Sequence, residues 1–221
     1  MSNDASPATV AHRPATHPQS PPQHPPLRYQ RYDGARENEY VPSMRQLISK
    51  DLSEPYSIYV YRYFLYQWGD LCFLAMNGDE MVGVVVSKLE PHHGGPLRGY
   101  IAMLAVREEF RGQGIATRLV RMAIDAMIER DADEVRPVPA GIALETEITN
   151  TAAMKLYERL GFLRSKRLHR YYLNGNSAYR LVLYVKEGVA SMKPAVDPLA
   201  LEPQPGFIDS ISAPVPPLLH G

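Results

Sequence analysis

The sequence lacks several features that define large classes of protein. It has one cysteine, Cys72, in 221 residues, which excludes an internal disulfide and a zinc site built from several thiolates. Its 24 basic and 24 acidic residues give a formal net charge of zero, whereas proteins that hold nucleic acid by bulk charge are strongly basic. No apolar run approaches the ~20 residues that cross a bilayer. We therefore expect no membrane anchor, no secretory signal and no sequence-specific binding of nucleic acid.

Proline is scarce in the middle of the chain and frequent at both ends. Of 20 prolines, seven lie in residues 1–26, seven in 189–221 and six between them, whereas all 14 tyrosines lie in the middle segment. Segments rich in proline and poor in aromatic residues bury too little apolar surface to offset their conformational entropy. We therefore predict disordered tails at 1–26 and 189–221 and one folded domain at 27–188.

Hydrophobic patterning within 27–188 predicts an alternation of strands and helices. The predicted strands lie at 27–32, 71–76, 81–89, 99–106, 142–147, 162–173 and 178–186, and the predicted helices at 39–52, 56–67, 115–130 and 151–160. Pro42 suggests that the first helix starts at that residue. In the second helix, the pattern predicts a packed stripe that includes Tyr59, Tyr63 and Phe64. The order indicates an α/β fold with a mixed, mostly antiparallel sheet of about seven strands flanked by about four helices.

The strongest signal for function lies where the central strand meets the third helix. Glycines at such a junction let backbone N–H groups approach a ligand, and the first turn of a helix attracts anions. The third glycine of a dinucleotide fingerprint and the Gly-Lys-Ser/Thr ending of a P-loop are both missing, so those nucleotide folds fit poorly. The residues that form this junction are Leu104, Ala105, Val106, Arg111, Gly112, Gln113, Gly114, Ile115, Ala116 and Thr117.

The spacing Arg111-x-x-Gly114-x-Ala116 resembles the coenzyme A loop of the GNAT acetyltransferases. Longer stretches at 51–65, 98–106, 144–147 and 170–174 resemble the catalytic subunits of NatC, a class of eukaryotic N-terminal acetyltransferase, and the resemblance covers residues 29–187. It implies the GNAT fold and acetyl transfer from acetyl-CoA to the α-amine of nascent chains that begin with Met followed by Leu, Ile, Phe or Trp. It also implies a cytoplasmic protein that works with a large scaffold subunit and a small Sm-like subunit, and it leaves contact with the ribosome open.

The resemblance also implies roles for individual residues. Residues 104–106 and 111–117, together with Asn150 and Tyr157, would bind CoA. Glu145 would be the general base, directly or through a water, although Glu147 lies on the same face of an alternating strand and remains an alternative. Tyr157 lies seven residues, or two helical turns, beyond Asn150 and would be the general acid. A backbone N–H near Leu104, at a bulge that the family has in this strand, would stabilise the oxyanion.

The acceptor peptide would then lie between the 52–56 loop and the 170–172 hairpin. Tyrosines at these places offer an apolar face and a hydroxyl to a bound peptide. The histidines at 92–93 have no cysteine and only Glu90 nearby, so we expect no metal, and Cys72 fits a buried apolar position. The candidate peptide contacts are Leu52, Glu54, Pro55, Tyr56, Tyr171 and Tyr172.

Residues 136–141 depart from the family pattern by roughly six extra residues that include Pro137 and Pro139. Because proline cannot donate into a sheet ladder, we predict that the strand starts near Ile142 and that a surface loop before it leaves Glu145 in place. Two other activities stay open: acetyl transfer to a lysine side chain, and CoA binding without turnover.

Overall fold

The computed structural model describes residues 26–51, 56–91, 97–130 and 141–185. In this part of the chain the strands are β1 (Arg28–Arg31), β2 (Phe73–Asn77), β3 (Glu80–Pro91), β4 (Leu97–Val106), β5 (Ile142–Glu147), β6 (Leu163–Leu168) and β7 (Ala178–Leu183). The helices are α1 (Glu37–Asp51), α2 (Ile58–Trp68), α3 (Ile115–Glu129) and α4 (Thr151–Arg159). The predicted α/β fold class is confirmed. The predicted tails and nearly all of the 136–141 insertion lie outside the described residues.

All seven described strands form one sheet in the order β1-β2-β3-β4-β5-β7-β6. Neighbours are antiparallel except β4 and β5, which are parallel. Strand β3 is buried from Met81 to Leu89, as a central strand covered on both faces should be. Helix α3 buries Ile115, Leu119 and Met127 in the same core.

Strands β4 and β5 pair only at Gly99–Ile142 and Tyr100–Ala143. A Cβ at Gly99 would lie 2.6 Å from the Met127 sulfur and 2.8 Å from a side-chain carbon of Ile142, so glycine permits this close approach. Beyond these two pairs β4 runs on to Val106 and β5 to Glu147 without pairing to each other. The sheet is therefore open between the two strands, next to the predicted phosphate loop.

Strand β4 also carries a bulge. Val86 of β3 pairs with Met103, whereas Ser87 pairs with Ile101, so Ala102 is an extra residue in β4 without a partner on β3. The bulge that the family resemblance implied near Leu104 is present, two residues before it.

Helix α1 begins earlier than the sequence suggested. It starts at Glu37, and Pro42 lies inside it rather than at its start. The helix continues a short 3₁₀ turn whose cap, Asp33, accepts a hydrogen bond from the Ala35 N–H. Glu37 and Glu39 lie in the first turn of α1, where negative charge is favourable. Pro42 lies in the second turn, where it removes one backbone N–H donor, and the helix continues through it.

Two further predictions were wrong in detail. Tyr59 of α2 is 61% exposed, so the buried stripe of this helix is rotated relative to the prediction. Its buried residues are Tyr61, Phe64, Leu65 and Trp68. The Trp68 indole N–H donates to the Leu89 carbonyl at 2.9 Å. Strand β6 ends at Leu168 rather than at residue 173, because Arg170 has a positive φ of 47°, which an extended strand does not allow.

Candidate active site

The loop before α3 has the shape of an anion cradle. Gly112 and Gly114 have φ values of 76° and 79°, and a Cβ built on either would have no atom within 4 Å. Gly114 caps α3 without any side-chain hydrogen bond, so the first-turn N–H groups remain available to a ligand. Arg111 is anchored by its Nε, which donates to the Val106 carbonyl at 3.0 Å. These residues fit the pyrophosphate of CoA, and the gap between β4 and β5 opens beside them.

Glu145 lies at the centre of a buried cluster on the face of the sheet that carries Tyr100. Its Oε2 accepts a hydrogen bond from the Tyr100 hydroxyl at 2.7 Å, and its Oε1 accepts one from Arg180 Nε at 2.6 Å. The Glu145 side chain is 3% exposed. Burial, followed by the charge of Glu145, raises the pKa of Tyr100 well above its usual value, so this hydroxyl stays protonated and donates.

Glu147 has a different environment from Glu145. Its Oε1 accepts hydrogen bonds from the Thr149 hydroxyl and the Asn176 side-chain amide, both at 2.7 Å, at the end of β5. Both contacts are exposed: the first fixes the turn after β5, and the second ties β5 to the segment before β7. The geometry therefore favours Glu145 over Glu147 as the carboxylate that faces the site.

Three of the predicted peptide contacts are brought to this cluster. Burial and then the charge of Glu145 raise the pKa of Tyr171, whose buried hydroxyl has no hydrogen-bond partner of normal geometry among the described residues. Tyr172 packs edge-on against Tyr171, with ring centroids 5.1 Å apart. Tyr56 is near enough to contribute to the raised pKa of Tyr100. The Tyr100 hydroxyl is close enough to interact with that of Tyr171, and a buried hydroxyl without a well-formed hydrogen bond is the kind of group that a bound peptide or water satisfies.

The two predicted residues of α4 have clear structural roles. Asn150 caps the helix, and its Oδ1 accepts a hydrogen bond from the Ala153 N–H at 3.0 Å. Tyr157 is buried and packs edge-on against Phe162, with ring centroids 5.4 Å apart. Burial raises the pKa of Tyr157, so its hydroxyl carries a proton throughout the neutral range. No described hydrogen bond joins Tyr157 to Glu145 or to Tyr100.

Sequence reasoning missed two members of the cluster, Tyr100 and Arg180. A signal existed for each: Tyr100 carries a hydroxyl in a nearly apolar central strand, and Arg180 is a cation in the otherwise apolar β7. Buried charges and hydroxyls need partners. Each residue therefore indicates that a polar partner lies nearby in the fold, but the sequence does not identify that partner.

Some of the residues singled out in the sequence lie outside the described residues. They are Leu52, Glu54, Pro55 and the histidines at 92–93. Among the described residues no three His, Cys, Asp or Glu side chains are grouped as metal ligands would be. None of the described helices combines the length and the apolar character that spanning a membrane requires. Burial raises the pKa of the Cys72 thiol to about 12, which keeps it protonated and unreactive.

Comparison with known proteins points to one family. The model of the acetyltransferase (GNAT) family matches residues 41–162. Human N-alpha-acetyltransferase 30 is 56% identical over 160 residues, which cover 72% of this chain and 41% of that protein. The fission yeast protein of the same name, from Schizosaccharomyces pombe, is 54% identical over 147 residues, covering 66% of this chain and 93% of that protein. The chain thus spans under half the length of the human relative and nearly all of the yeast one.

A solved structure agrees with the sequence comparison. One chain of a crystal structure of the NatC complex bound to Gag peptide and CoA is 46% identical and superimposes with a TM-score of 0.65. The match covers 72% of this chain and 99% of that chain. The similarity in fold therefore extends over the whole of that subunit.

Proposed function

This chain belongs to the N-alpha-acetyltransferase 30 group of the acetyltransferase (GNAT) family, and on that premise we propose that it is the catalytic subunit of a NatC-type N-terminal acetyltransferase. The proposed reaction transfers acetyl from acetyl-CoA to the α-amine of proteins that begin with Met and a large apolar residue. The observation that carries the proposal is the Tyr100–Glu145–Arg180 cluster beside the gap between β4 and β5.

Binding of acetyl-CoA is assigned to the β4–β5 gap and the α3 loop. Acetyl-CoA supplies the acetyl group as a thioester. The N–H groups of residues 112–117 and the side chain of Arg111 would hold its phosphates, and Asn150 is a further proposed contact at the start of α4. Leu104, Ala105 and Val106 pair with β3 on one side, and on the other side they face the gap, where β4 can offer backbone hydrogen bonds to an extended ligand arm. An N–H near Leu104 is the proposed donor to the oxyanion.

Proton movement is assigned to Glu145 and Tyr157. A free α-amine has a pKa of ~7.7–8.0, so it must lose a proton to become a nucleophile at neutral pH. Each oxygen of Glu145 already accepts one hydrogen bond and has one lone pair left. We propose that a water bound to one of these lone pairs passes the proton from the amine to the carboxylate. We propose that Tyr157 donates a proton to the departing sulfur. Burial raises the pKa of this hydroxyl, so it carries the proton at neutral pH.

Substrate choice is assigned to the tyrosines around the cluster. Tyr56, Tyr171 and Tyr172 combine apolar rings with hydroxyls, so they suit a peptide backbone and an apolar second side chain. Leu52, Glu54 and Pro55 are further proposed peptide contacts, on the family resemblance alone. The proposed partners are nascent-chain N-termini, a large scaffold subunit and a small Sm-like subunit, with the cytoplasm as the place of action.

The test compares two synthetic peptides that differ only at the second residue, Met-Leu and Met-Lys, with acetyl-CoA and the purified chain, alone and with candidate scaffold subunits. We expect at least tenfold higher kcat/KM for Met-Leu, because burying a lysine ammonium in an apolar pocket without a partner is costly. Equal rates for the two peptides would contradict the proposed specificity. Tight CoA binding without transfer to either peptide, even with the subunits, would favour a binding module.

A further inference from the structure

We propose that Arg180 is a positioning residue for acetyl transfer, which holds the Glu145 carboxylate in one orientation. The inference rests on the proposed function and deepens it. It assigns a role to a charged residue of β7, a strand that none of the predicted site residues occupies.

Arg180 and Glu145 face each other across two neighbouring strands. Arg180 and Glu145 are direct register partners on β7 and β5, so their side chains leave the sheet on the same face. Arg180 Nε is 2.6 Å from Oε1 and the Tyr100 hydroxyl is 2.7 Å from Oε2. With one donor on each oxygen, the carboxylate cannot turn without losing a hydrogen bond. A lone pair on each oxygen remains for water.

Both members of the pair are buried. The Arg180 and Glu145 side chains are 11% and 3% exposed, so each charge depends on the other for stabilisation. Leu181 and Val182, the next residues of β7, are buried apolar side chains. A guanidinium in such a strand costs desolvation energy, and the anion that compensates it is the proposed base.

Other charged and titratable groups surround the pair from every neighbouring element. Burial, followed by the charge of Arg180, lowers the pKa of Arg98. Arg98 is therefore a second cation close to Arg180. Lys166 of β6 is the register partner of Arg180 on its other side and is exposed. The groups around the cluster include Tyr56, Tyr171 and Lys88 of β3, whose Nζ lies 5.7 Å from the centre of the Tyr100 ring.

The experiment uses the full chain, with any subunits its activity requires, in Arg180→Gln, Arg180→Lys and Lys166→Gln forms. We expect Arg180→Gln to lower kcat for a Met-Leu peptide about 10- to 100-fold and to change KM by less than about twofold. Arg180→Lys keeps a charged donor and should recover part of kcat. Lys166→Gln removes an equal charge from the adjacent register position and should match the unchanged chain. An unchanged kcat in Arg180→Gln, or an equal loss in Lys166→Gln, would overturn the proposal.

A double-variant cycle separates positioning from a general structural role. If Arg180 acts through Glu145, adding Arg180→Gln to Glu145→Gln should lower the rate no further, whereas independent roles would multiply. The same cycle read by thermal midpoint tests the pair without activity. Arg180→Gln should lower the midpoint and the double variant should recover part of it, and additive midpoints would overturn the pairing. An unchanged chain that transfers no acetyl would instead contradict the proposed function.

Discussion

Replacement of Glu145 by glutamine is expected to lower kcat by about 10²- to 10⁴-fold, the usual contribution of a general base. The amide keeps the shape of the side chain and can still accept a hydrogen bond from Arg180. It cannot take up the proton that the substrate amine must lose. CoA affinity should stay within about threefold, because the proposed phosphate contacts lie at residues 111–117. Steady-state kinetics and calorimetric titration of CoA measure the two effects separately.

The matched control is Glu147→Gln, two residues along the same strand face. Glu147 bonds to Thr149 and Asn176, so its loss should change kcat by less than about threefold. Stability also separates the two variants: Glu145→Gln loses the ion pair to Arg180, and this should lower its free energy of unfolding by about 1–3 kcal/mol. A large kcat loss in Glu147→Gln with full activity in Glu145→Gln would exchange the two assignments.

Replacement of Tyr157 by phenylalanine should lower kcat by about 10²-fold or more, through loss of the proton donated to the departing sulfur. The ring keeps its contact with Phe162, so the free energy of unfolding should change by less than about 1 kcal/mol. Because burial raises the pKa of Tyr157, the unchanged chain should lose no activity from ionisation of this hydroxyl up to about pH 10. Rates of both forms measured from pH 6 to 10 check the loss of kcat and the absence of a loss through ionisation, and denaturant unfolding checks the change in stability.

A buried tyrosine elsewhere in the fold controls for the removal of a hydroxyl. Tyr32 is buried against Tyr40 next to β1, at the opposite edge of the sheet from β7, and burial raises its pKa to about 12. Tyr32→Phe should leave kcat unchanged. If Tyr157→Phe behaves like Tyr32→Phe, Tyr157 is a packing residue and the proton donor lies elsewhere.

The parts of the site that sequence predicted are those whose signals are local. The phosphate loop depends on glycines within a few residues of a helix start, and both Gly112 and Gly114 adopt the left-handed conformation. Asn150 and Gly161 mark the two ends of α4 through their own side-chain and backbone chemistry. The start of β5 at Ile142 follows from the prolines before it. Such signals need no knowledge of the tertiary structure.

The parts that sequence could not predict depend on pairing across the sheet. Arg180 meets Glu145 because β5 and β7 pair in one register, and the two residues are 35 positions apart. Tyr171 reaches the cluster because Arg170 turns the chain with a positive φ, which is uncommon for arginine. The buried face of α2 depends on where Trp68 bonds to β3. Each of these contacts is decided by tertiary packing rather than by the local pattern.

The most direct test of the account is the position of the acetyl group on a Met-Leu peptide that also contains an internal lysine. A second copy with a blocked α-amine is assayed beside it, and fragment masses locate the modification. The account predicts acetylation of the α-amine in the free peptide and none on the blocked copy. Acetyl on the lysine side chain at equal rates in both peptides would contradict it, and would assign the Tyr100–Glu145–Arg180 cluster to a different amine.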